Sequence, residues 1–237
     1  MSRRIESLRL QLIVTELLRL LHRDMSYAEL EKLLGVPRSV LAQYATGARV
    51  PSPYQARLML SSILDKINMA SIIASRLKAT RSIADLEYVM LDPLVIRLVS
   101  AWAEQRYRGS VDVVLSAETI GVPLATQVAL SLEARLVLAR RQPGSTHREY
   151  IRGEGGEQPF GTKVFYVPRD ALGEEQRVLL VDDLVRTGST FEALVKAVKA
   201  GGGRVVGAVV VIAIGSTWRR RLEKLGVRDV HAFLEIS

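Results

Sequence analysis

The sequence predicts a protein of two parts, an all-α N-terminal part followed by an α/β part built on a doubly wound parallel sheet. Up to about residue 110 the apolar residues follow helical spacing, with almost no β-branched alternation. From Val111 onwards, short apolar runs alternate with amphipathic stretches. Strand, helix, strand repetition of this kind places helices on both faces of a parallel sheet. The length of 237 residues fits two such domains.

Composition excludes several classes of protein and points to an anionic partner. Hydrophobic residues make up 48% and charged residues 24% of the chain, as in ordinary globular proteins. There is no cysteine and the three histidines are scattered, which excludes a disulfide framework and disfavours zinc. No signal-peptide pattern or long apolar run is present, so we expect a cytoplasmic protein with no membrane partner.

The net charge of +8 is concentrated at the start of the chain. Residues 1–60 contain nine Lys or Arg and five Asp or Glu, a net of 9 − 5 = +4. This bias is typical of a nucleic-acid-binding segment, although a solvated basic surface would give the same count.

The first 60 residues have the spacing of two short helices joined by a tight turn. After an amphipathic helix over residues 5–21, Ser26 is placed to cap a second helix. Gly35, followed by Val36 and Pro37, permits the turn, and residues 38–45 form the next helix. This is the spacing of a helix-turn-helix, whose second helix enters the DNA major groove.

The tail GARVPS at residues 47–52 resembles the end of this motif in lambda-repressor-like domains. Glu31 departs from that family, which has a small alanine there. The resemblance implies that double-stranded DNA is a partner. The candidate contacts are Arg38, Ser39 and Gln43 on base edges, with Tyr44 and Arg49 on phosphates. A helical interaction or oligomerisation module is the alternative, and the helical pattern at 53–81 favours a homodimer.

Five apolar runs predict the strands of the C-terminal part. They are residues 111–116, 134–139, 178–181, 204–214 and 231–236. Helical patterns over 122–132 and 190–200 lie between them, and the second ends at three consecutive glycines. The stretch 142–162 is rich in Gly, Pro and polar residues and too long for a connector, so it predicts an active-site lid or a disordered tip.

Residues 178–190, reading VLLVDDLVRTGST, contain the strongest motif of the chain. Four apolar residues predict a buried strand, and two adjacent carboxylates, Asp182 and Asp183, follow it. Two like charges side by side need a cation or a pair of hydroxyl donors. The small-residue turn Arg186–Thr190 then precedes a helix, and such a turn makes a phosphate cradle. A diol site beside a phosphate site specifies a ribose 5-phosphate group.

This motif resembles that of the type I phosphoribosyltransferases, and the resemblance extends from about Leu91 to the C-terminus. It is closest to the adenine and xanthine enzymes and also includes the purine repressor. In this family the acidic pair holds the ribose hydroxyls and the turn holds the 5′-phosphate of phosphoribosyl diphosphate (PRPP). The resemblance implies a domain division into residues 1–60 (helix-turn-helix), 61–90 (helical connector) and 91–237 (PRPP-binding domain).

Further segments resemble the family's diphosphate machinery. The turn at 116–121 resembles its pyrophosphate loop, Arg140 and Arg141 its basic pair, and the segments 148–150 and 167–172 its flexible loop. A plain surface role for the two arginines is the alternative. The predicted PRPP contacts are Asp182, Asp183, Arg186, Thr187, Gly188, Ser189, Thr190, Ala117, Glu118, Thr119, Arg140 and Arg141. We expect Mg²⁺ to arrive with PRPP, with no metal held by protein side chains alone and no organic cofactor.

Arg186 is the departure that bears on catalysis. The family's purine enzymes have alanine or aspartate at this position, and the purine repressor has lysine. The sequence therefore favours a PRPP-sensing transcription regulator of nucleotide or purine genes, for which a purine nucleotide is a second candidate ligand. An active purine phosphoribosyltransferase is the alternative, and no catalytic residue is assigned.

Overall fold

The computed structural model describes residues 3–80, 86–144, 149–156 and 161–237. The chain divides into two compact units, Met1–Asn68 and Met69–Ser237. The predicted division at residues 60 and 90 stays a prediction.

The N-terminal unit is all-α. Its helices are α1 (Arg3–Leu21), α2 (Tyr27–Leu34), α3 (Arg38–Thr46) and α4 (Pro53–Lys66). Ser26 accepts a hydrogen bond from the Glu29 amide, and the Glu29 side chain accepts one from the Ser26 amide. This reciprocal cap satisfies amides that the first turn of α2 would otherwise leave unpaired. The turn after α2 passes through Gly35, whose φ of 67° is a left-handed conformation that suits glycine.

The core of this unit is formed by one face of each helix. Leu30 of α2, Leu41 of α3 and Ile63 of α4 are fully buried. The helical pattern predicted as one stretch over 53–81 is two helices, because the chain leaves α4 at Ile67, which has extended backbone. The next helix, α5 (Met69–Thr80), belongs to the C-terminal unit.

The C-terminal unit has a five-stranded parallel sheet in the order β2-β1-β5-β6-β7. The strands are β1 (Val113–Ala117), β2 (Arg135–Ala139), β5 (Arg177–Val185), β6 (Arg204–Ile214) and β7 (Val230–Ile236). A separate antiparallel pair is formed by β3 (Tyr150–Gly155) and β4 (Lys163–Pro168), followed by a short 3₁₀ helix, Arg169–Ala171. The helices after α5 are α6 (Leu86–Met90), α7 (Pro93–Tyr107), α8 (Val122–Leu132), α9 (Ser189–Ala200) and α10 (Thr217–Lys224).

Both faces of the sheet are covered, as predicted. Val178 and Leu180 of β5 face a core shared with α9, α10 and the β3–β4 pair, whereas Leu179 and Val181 face α7 and α8. Four consecutive apolar residues are therefore all buried, as expected for a central parallel strand.

Two sequence predictions are corrected by this fold. Residues 142–162 were expected to form a lid or disordered tip, but Tyr150–Gly155 form β3, which contradicts a disordered tip at these residues, and β4 begins at Lys163. The lid stays a prediction. Parts of the stretch, 145–148 and 157–160, lie outside the described residues, and so does Arg148. The strand predicted at 178–181 extends to Val185, because β5 stays paired with β6 as far as Ala213.

Within the described ranges, none of the helices is by itself both long and apolar enough to cross a membrane. Two consecutive helices, Pro53–Lys66 and Met69–Lys78, meet the length and composition requirement only when taken together.

Candidate phosphoribosyl site

The acidic pair lies inside the sheet near its carboxyl edge. Asp182 and Asp183 belong to β5 itself and do not follow its end, which corrects the sequence prediction. Asp182 is only 6% exposed, and its Oδ1 accepts a hydrogen bond from the Asp183 amide at 3.1 Å. Burial and the neighbouring Asp183 carboxylate raise the pKa of Asp182 well above its usual value. The site is thus arranged to be stabilised by an added cation or hydroxyl donors.

The turn predicted to bind phosphate, residues 186–190, links β5 to α9, and we refer to it as the phosphate-binding turn. Gly188 has a φ of 76°, and the Thr187 and Ser189 hydroxyls lie 3.0 Å apart. Helix α9 begins at Ser189, one residue before the predicted pattern at 190–200, so Ser189 and Thr190 lie in its first turn. The Ser189 amide donates a long hydrogen bond to the Thr187 hydroxyl within the turn, at 3.4 Å. The amides and hydroxyls of the turn therefore lie at the positive end of the helix dipole, where an anion binds well.

Lys163, the first residue of β4, is a site residue that the sequence analysis missed. Its Nζ donates a hydrogen bond to the Thr190 Oγ1 at 3.0 Å. Desolvation and the nearby cations Arg141 and Arg186 lower the pKa of Lys163, while the two aspartates act in the opposite direction. Its position after Gly161 and Thr162 at the end of the polar stretch was the only signal in the sequence.

Close backbone packing fixes the β3–β4 pair against this helix. A Cβ on Gly155 would lie 2.0 Å from the Ser189 carbonyl oxygen, and one on Gly153 would lie 2.1 Å from that of Ala193. Real Cβ atoms do not approach so closely, so only glycine permits this packing. The Gly156 amide also donates to Glu192 of α9 at 3.0 Å. The pair thereby brings Lys163 to the phosphate-binding turn.

The predicted pyrophosphate loop lies beside the acidic pair. An added Cβ at Gly121, which precedes α8, would lie 3.1 Å from the Asp182 Oδ1. Ala117 ends β1, the Glu118 amide donates to the Ala139 carbonyl at 3.0 Å, and the Glu118–Thr119 peptide bond is cis.

The predicted basic pair lies near this loop and near Lys163. Arg140 Nε lies 3.3 Å from Glu118 Oε1, and the Arg141 guanidinium lies over the Phe165 ring at 4.6 Å from its centroid. The first contact joins the end of β2 to the loop after β1, and the second places a cation beside β4.

A cavity of about 510 Å³ opens at the phosphate-binding turn, within the range of roughly 300–1,000 Å³ for small-molecule sites. It is lined by Gly156, Gly161, Lys163, Leu184, Val185, Arg186, Thr187, Gly188, Ser189, Thr190, Thr217 and Arg221. Arg186 is exposed there. The aspartates, residues 117–119 and the basic pair are not among the lining residues. Thr217 and Arg221, which follow β6, are further residues that sequence reasoning missed.

The residues of this site are compatible with a magnesium ion that is coordinated mainly by the phosphates of a bound phosphoribosyl compound. Among the described residues, no group of three or more His, Cys, Asp or Glu side chains could hold a metal. The acidic pair nevertheless supplies hard carboxylate oxygens, which Mg²⁺ prefers in combination with substrate phosphates.

A parallel sheet with an acidic pair and a phosphate-binding turn at its carboxyl edge defines a class of phosphoribosyl-binding domains. The family described as "Phosphoribosyl transferase domain" matches residues 89–229, more than half of the chain. The chain therefore belongs to this family.

Adenine phosphoribosyltransferases are among the similar proteins. The enzyme of Nitrosomonas europaea is 35% identical over 148 residues, which are 61% of this chain and 83% of the relative. That of Nitrosomonas eutropha is 32% identical over 141 residues, 58% of this chain and 80% of the relative. The crystal structure of the Rhodothermus marinus enzyme aligns with a TM-score of 0.54 at 28% identity, covering 61% of this chain and 81% of that one.

Residues predicted to contact DNA lie on α3 and the turn after it. Arg38, Ser39, Gln43 and Arg49 are exposed. Tyr44 is only 1% exposed, and its hydroxyl donates to Gln55 at 3.3 Å. The assignment of Tyr44 to phosphate contacts was therefore wrong, because its ring belongs to the core of the N-terminal unit.

Proposed function

We propose that the C-terminal unit binds PRPP and transfers its ribose 5-phosphate to a purine base. The main support for the proposal is that a site suited to ribose hydroxyls on β5 is followed directly by a turn suited to a phosphate. The buried pair Asp182 and Asp183 is suited to the ribose hydroxyls, and Thr187–Thr190 are suited to the 5′-phosphate. The names of the similar proteins make adenine the first base to test.

In this reaction the bond from C1′ to the diphosphate oxygen breaks, and a bond from C1′ to a ring nitrogen of the base forms. That ring nitrogen releases its proton to solvent, and diphosphate leaves with the electron pair of the broken bond. Bound Mg²⁺ would neutralise charge on the diphosphate. In the loop at 117–119 the Glu118 amide is already bonded to Ala139, so Thr119 would present its amide to the diphosphate. The guanidinium groups of Arg140 and Arg141 would form bidentate hydrogen bonds with it. Lys163 would add positive charge at the 5′-phosphate end through its position on Thr190.

Diphosphate release from Mg-PRPP tests the transfer reaction directly. We expect release with at least one of adenine, hypoxanthine, guanine and xanthine, and none without a base. The variant Asp183→Asn removes one carboxylate of the proposed ribose site and serves as the loss-of-function control. Absence of release with all four bases, although PRPP binds, would eliminate transfer and leave binding alone.

Arg186 is the departure from the family's purine enzymes that would act on the base. Its guanidinium is exposed at the cavity, where it affects the pKa of Lys163. If this cation crowds the base, Arg186→Ala increases the rate of diphosphate release. If it contacts the base, the same variant raises KM for that base by more than it raises KM for PRPP.

A second candidate function is transcription regulation in response to PRPP, with nucleotide or purine genes as targets. It is favoured by the exposed side chains Arg38, Ser39 and Gln43 on α3, which follows a capped helix and a left-handed glycine turn. Such side chains can reach base edges in a major groove. A homodimer would present two such helices to a palindromic site.

DNA retention by the full chain tests this candidate. We expect binding to upstream DNA that weakens as salt rises and changes when Mg-PRPP is added. The variant R38A/Q43A should lose sequence preference, whereas Arg49→Ala should weaken binding to all sequences. If the wild-type chain shows neither salt-dependent retention nor a response to PRPP, the N-terminal unit has another role, such as oligomerisation.

A further inference from the structure

A second, basic cavity lies beside the phosphate-binding turn. We call it the α10 groove. It has a volume of about 280 Å³ and is lined by Glu192, Thr217, Arg220, Arg221, Lys224 and Leu225. Three of these six residues are cations and one is a carboxylate. The proposed transfer reaction assigns none of the three cations a role.

The α10 groove adjoins the cavity at the phosphate-binding turn. Thr217 and Arg221 line both cavities. The Thr217 hydroxyl donates to the Arg186 carbonyl oxygen at 3.3 Å. A Cβ on Gly188 would lie 3.4 Å from the Arg221 Cδ, so the stem of Arg221 packs directly against the turn. An anion on the turn would therefore have the α10 cations as its next neighbours.

The positive charge of the α10 groove is not cancelled by its own carboxylate. Glu192 pairs with Arg221 at 2.9 Å, but it also pairs with Lys196 at 2.8 Å and accepts from the Gly156 amide. These partners oppose desolvation and leave the pKa of Glu192 below its usual value. Within residues 161–237 and the other described segments, no salt bridge joins Arg220 or Lys224 to a carboxylate. Both side chains lie in exposed residues of α10.

PRPP alone would leave the α10 groove unfilled. Its diphosphate is attached to C1′, the end of the sugar that the acidic pair and the loop at 117–119 are suited to hold. None of those residues lines the groove. The groove instead shares Thr217 and Arg221 with the cavity that the proposed 5′-phosphate turn lines. A ligand that fills both cavities needs further anionic groups on its 5′ side, and the outer phosphates of a nucleotide supply them.

We propose that the chain also binds a nucleoside 5′-diphosphate or 5′-triphosphate, which excludes PRPP. Its α-phosphate would occupy Thr187–Thr190, and its outer phosphates would contact Arg220, Arg221 and Lys224. Ion pairs between guanidinium or ammonium groups and phosphate are among the stronger hydrogen bonds in proteins. The proposal rests on the proposed function, because it requires that the turn takes a 5′-phosphate. It makes the α10 groove the place where the site distinguishes nucleotides by phosphate number.

Competition against Mg-PRPP on the full chain, at fixed excess free Mg²⁺, tests this proposal with AMP, ADP and ATP as probes. We expect ATP to displace PRPP at a concentration at least tenfold lower than AMP does. In the variant R220A/K224A this preference should fall to less than threefold, while the affinities for PRPP and AMP remain unchanged. The control R204A/R228A removes the same charge near the starts of β6 and β7, at the opposite edge of the sheet, and should keep the preference.

Each other outcome is decisive. Equal displacement by AMP and ATP, or a preference that survives R220A/K224A, overturns the proposal. So does an equal loss of PRPP and ATP affinity in that variant, which would place these cations in the PRPP site. If the wild-type chain binds neither PRPP nor AMP, the proposed function fails as well, and this distinguishes the two failures.

Discussion

Replacing Asp182 by Asn should stabilise the unliganded protein at neutral pH and weaken its affinity for PRPP. The folded protein holds the Asp182 carboxylate almost fully buried beside Asp183, which raises its pKa above the unfolded value of about 3.9. Because the pKa of Asp182 is higher in the folded than in the unfolded protein, the ionised carboxylate lowers the free energy of unfolding at pH values above its folded-state pKa. It has no such effect at pH values below its unfolded-state pKa, where the carboxyl is protonated in both states. Every tenfold change in its protonation equilibrium corresponds to about 1.4 kcal/mol.

The expected gain in stability is therefore greatest near pH 7 and disappears as the pH falls towards 4. The same substitution removes a charged acceptor from the ribose site. Because hydrogen bonds to charged groups contribute about 1.5–3 kcal/mol, PRPP affinity should fall by roughly 10- to 100-fold.

Urea unfolding followed by tryptophan fluorescence measures the stability effect in the relevant unit. Both tryptophans, Trp102 and Trp218, lie in the C-terminal unit. Asp112→Asn is a control of opposite sign, because Arg177 lowers the pKa of Asp112 to about 2. That variant should lose stability at neutral pH. The reasoning about Asp182 is refuted if D182N is less stable than wild type at pH 7, or if its gain persists at pH 4.

Two other substitutions test the packing that shapes each unit. Gly155→Ala would place a Cβ 2.0 Å from the Ser189 carbonyl oxygen, so the C-terminal unit should lose about 1–3 kcal/mol and bind PRPP more weakly. Urea unfolding would measure the loss of stability and calorimetric titration the loss of PRPP affinity. Gly173→Ala is the control, because its Cβ would meet nothing nearer than 3.5 Å. Equal effects of the two substitutions would contradict the packing argument. Ser26→Ala removes a reciprocal cap and should destabilise the N-terminal unit by about 1 kcal/mol. Hydrogen exchange of α2 amides would detect the change, and unchanged protection would show that the cap contributes little.

Much of the sheet was predictable because central parallel strands are uniformly apolar. The run at 204–214 matched β6 residue for residue, and the helix at 122–132 matched α8. The end of β5 was misplaced because Asp182 and Asp183 look like the start of a loop. The strand continues through both aspartates because it is paired with β6 there, and the local sequence pattern does not predict that pairing.

Errors elsewhere have a similar physical origin. The glycines Gly153 and Gly155 made their segment look like a loop. In the fold they permit the backbone of β3 to pack closely against α9, and local sequence does not indicate such a tertiary contact. Lys163 was missed for the same reason, since only that packing brings it to Thr190. Tyr44 was a different kind of error, because the spacing from Leu41 already places it on the buried face of α3.

A crystal structure of the full chain with Mg-PRPP tests the central claim most directly. The account predicts the 5′-phosphate within hydrogen-bond distance of the amides and hydroxyls of Thr187–Thr190, with the ribose hydroxyls on Asp182 and Asp183. A 5′-phosphate bound elsewhere, or a ribose that makes no contact with either aspartate, would contradict it.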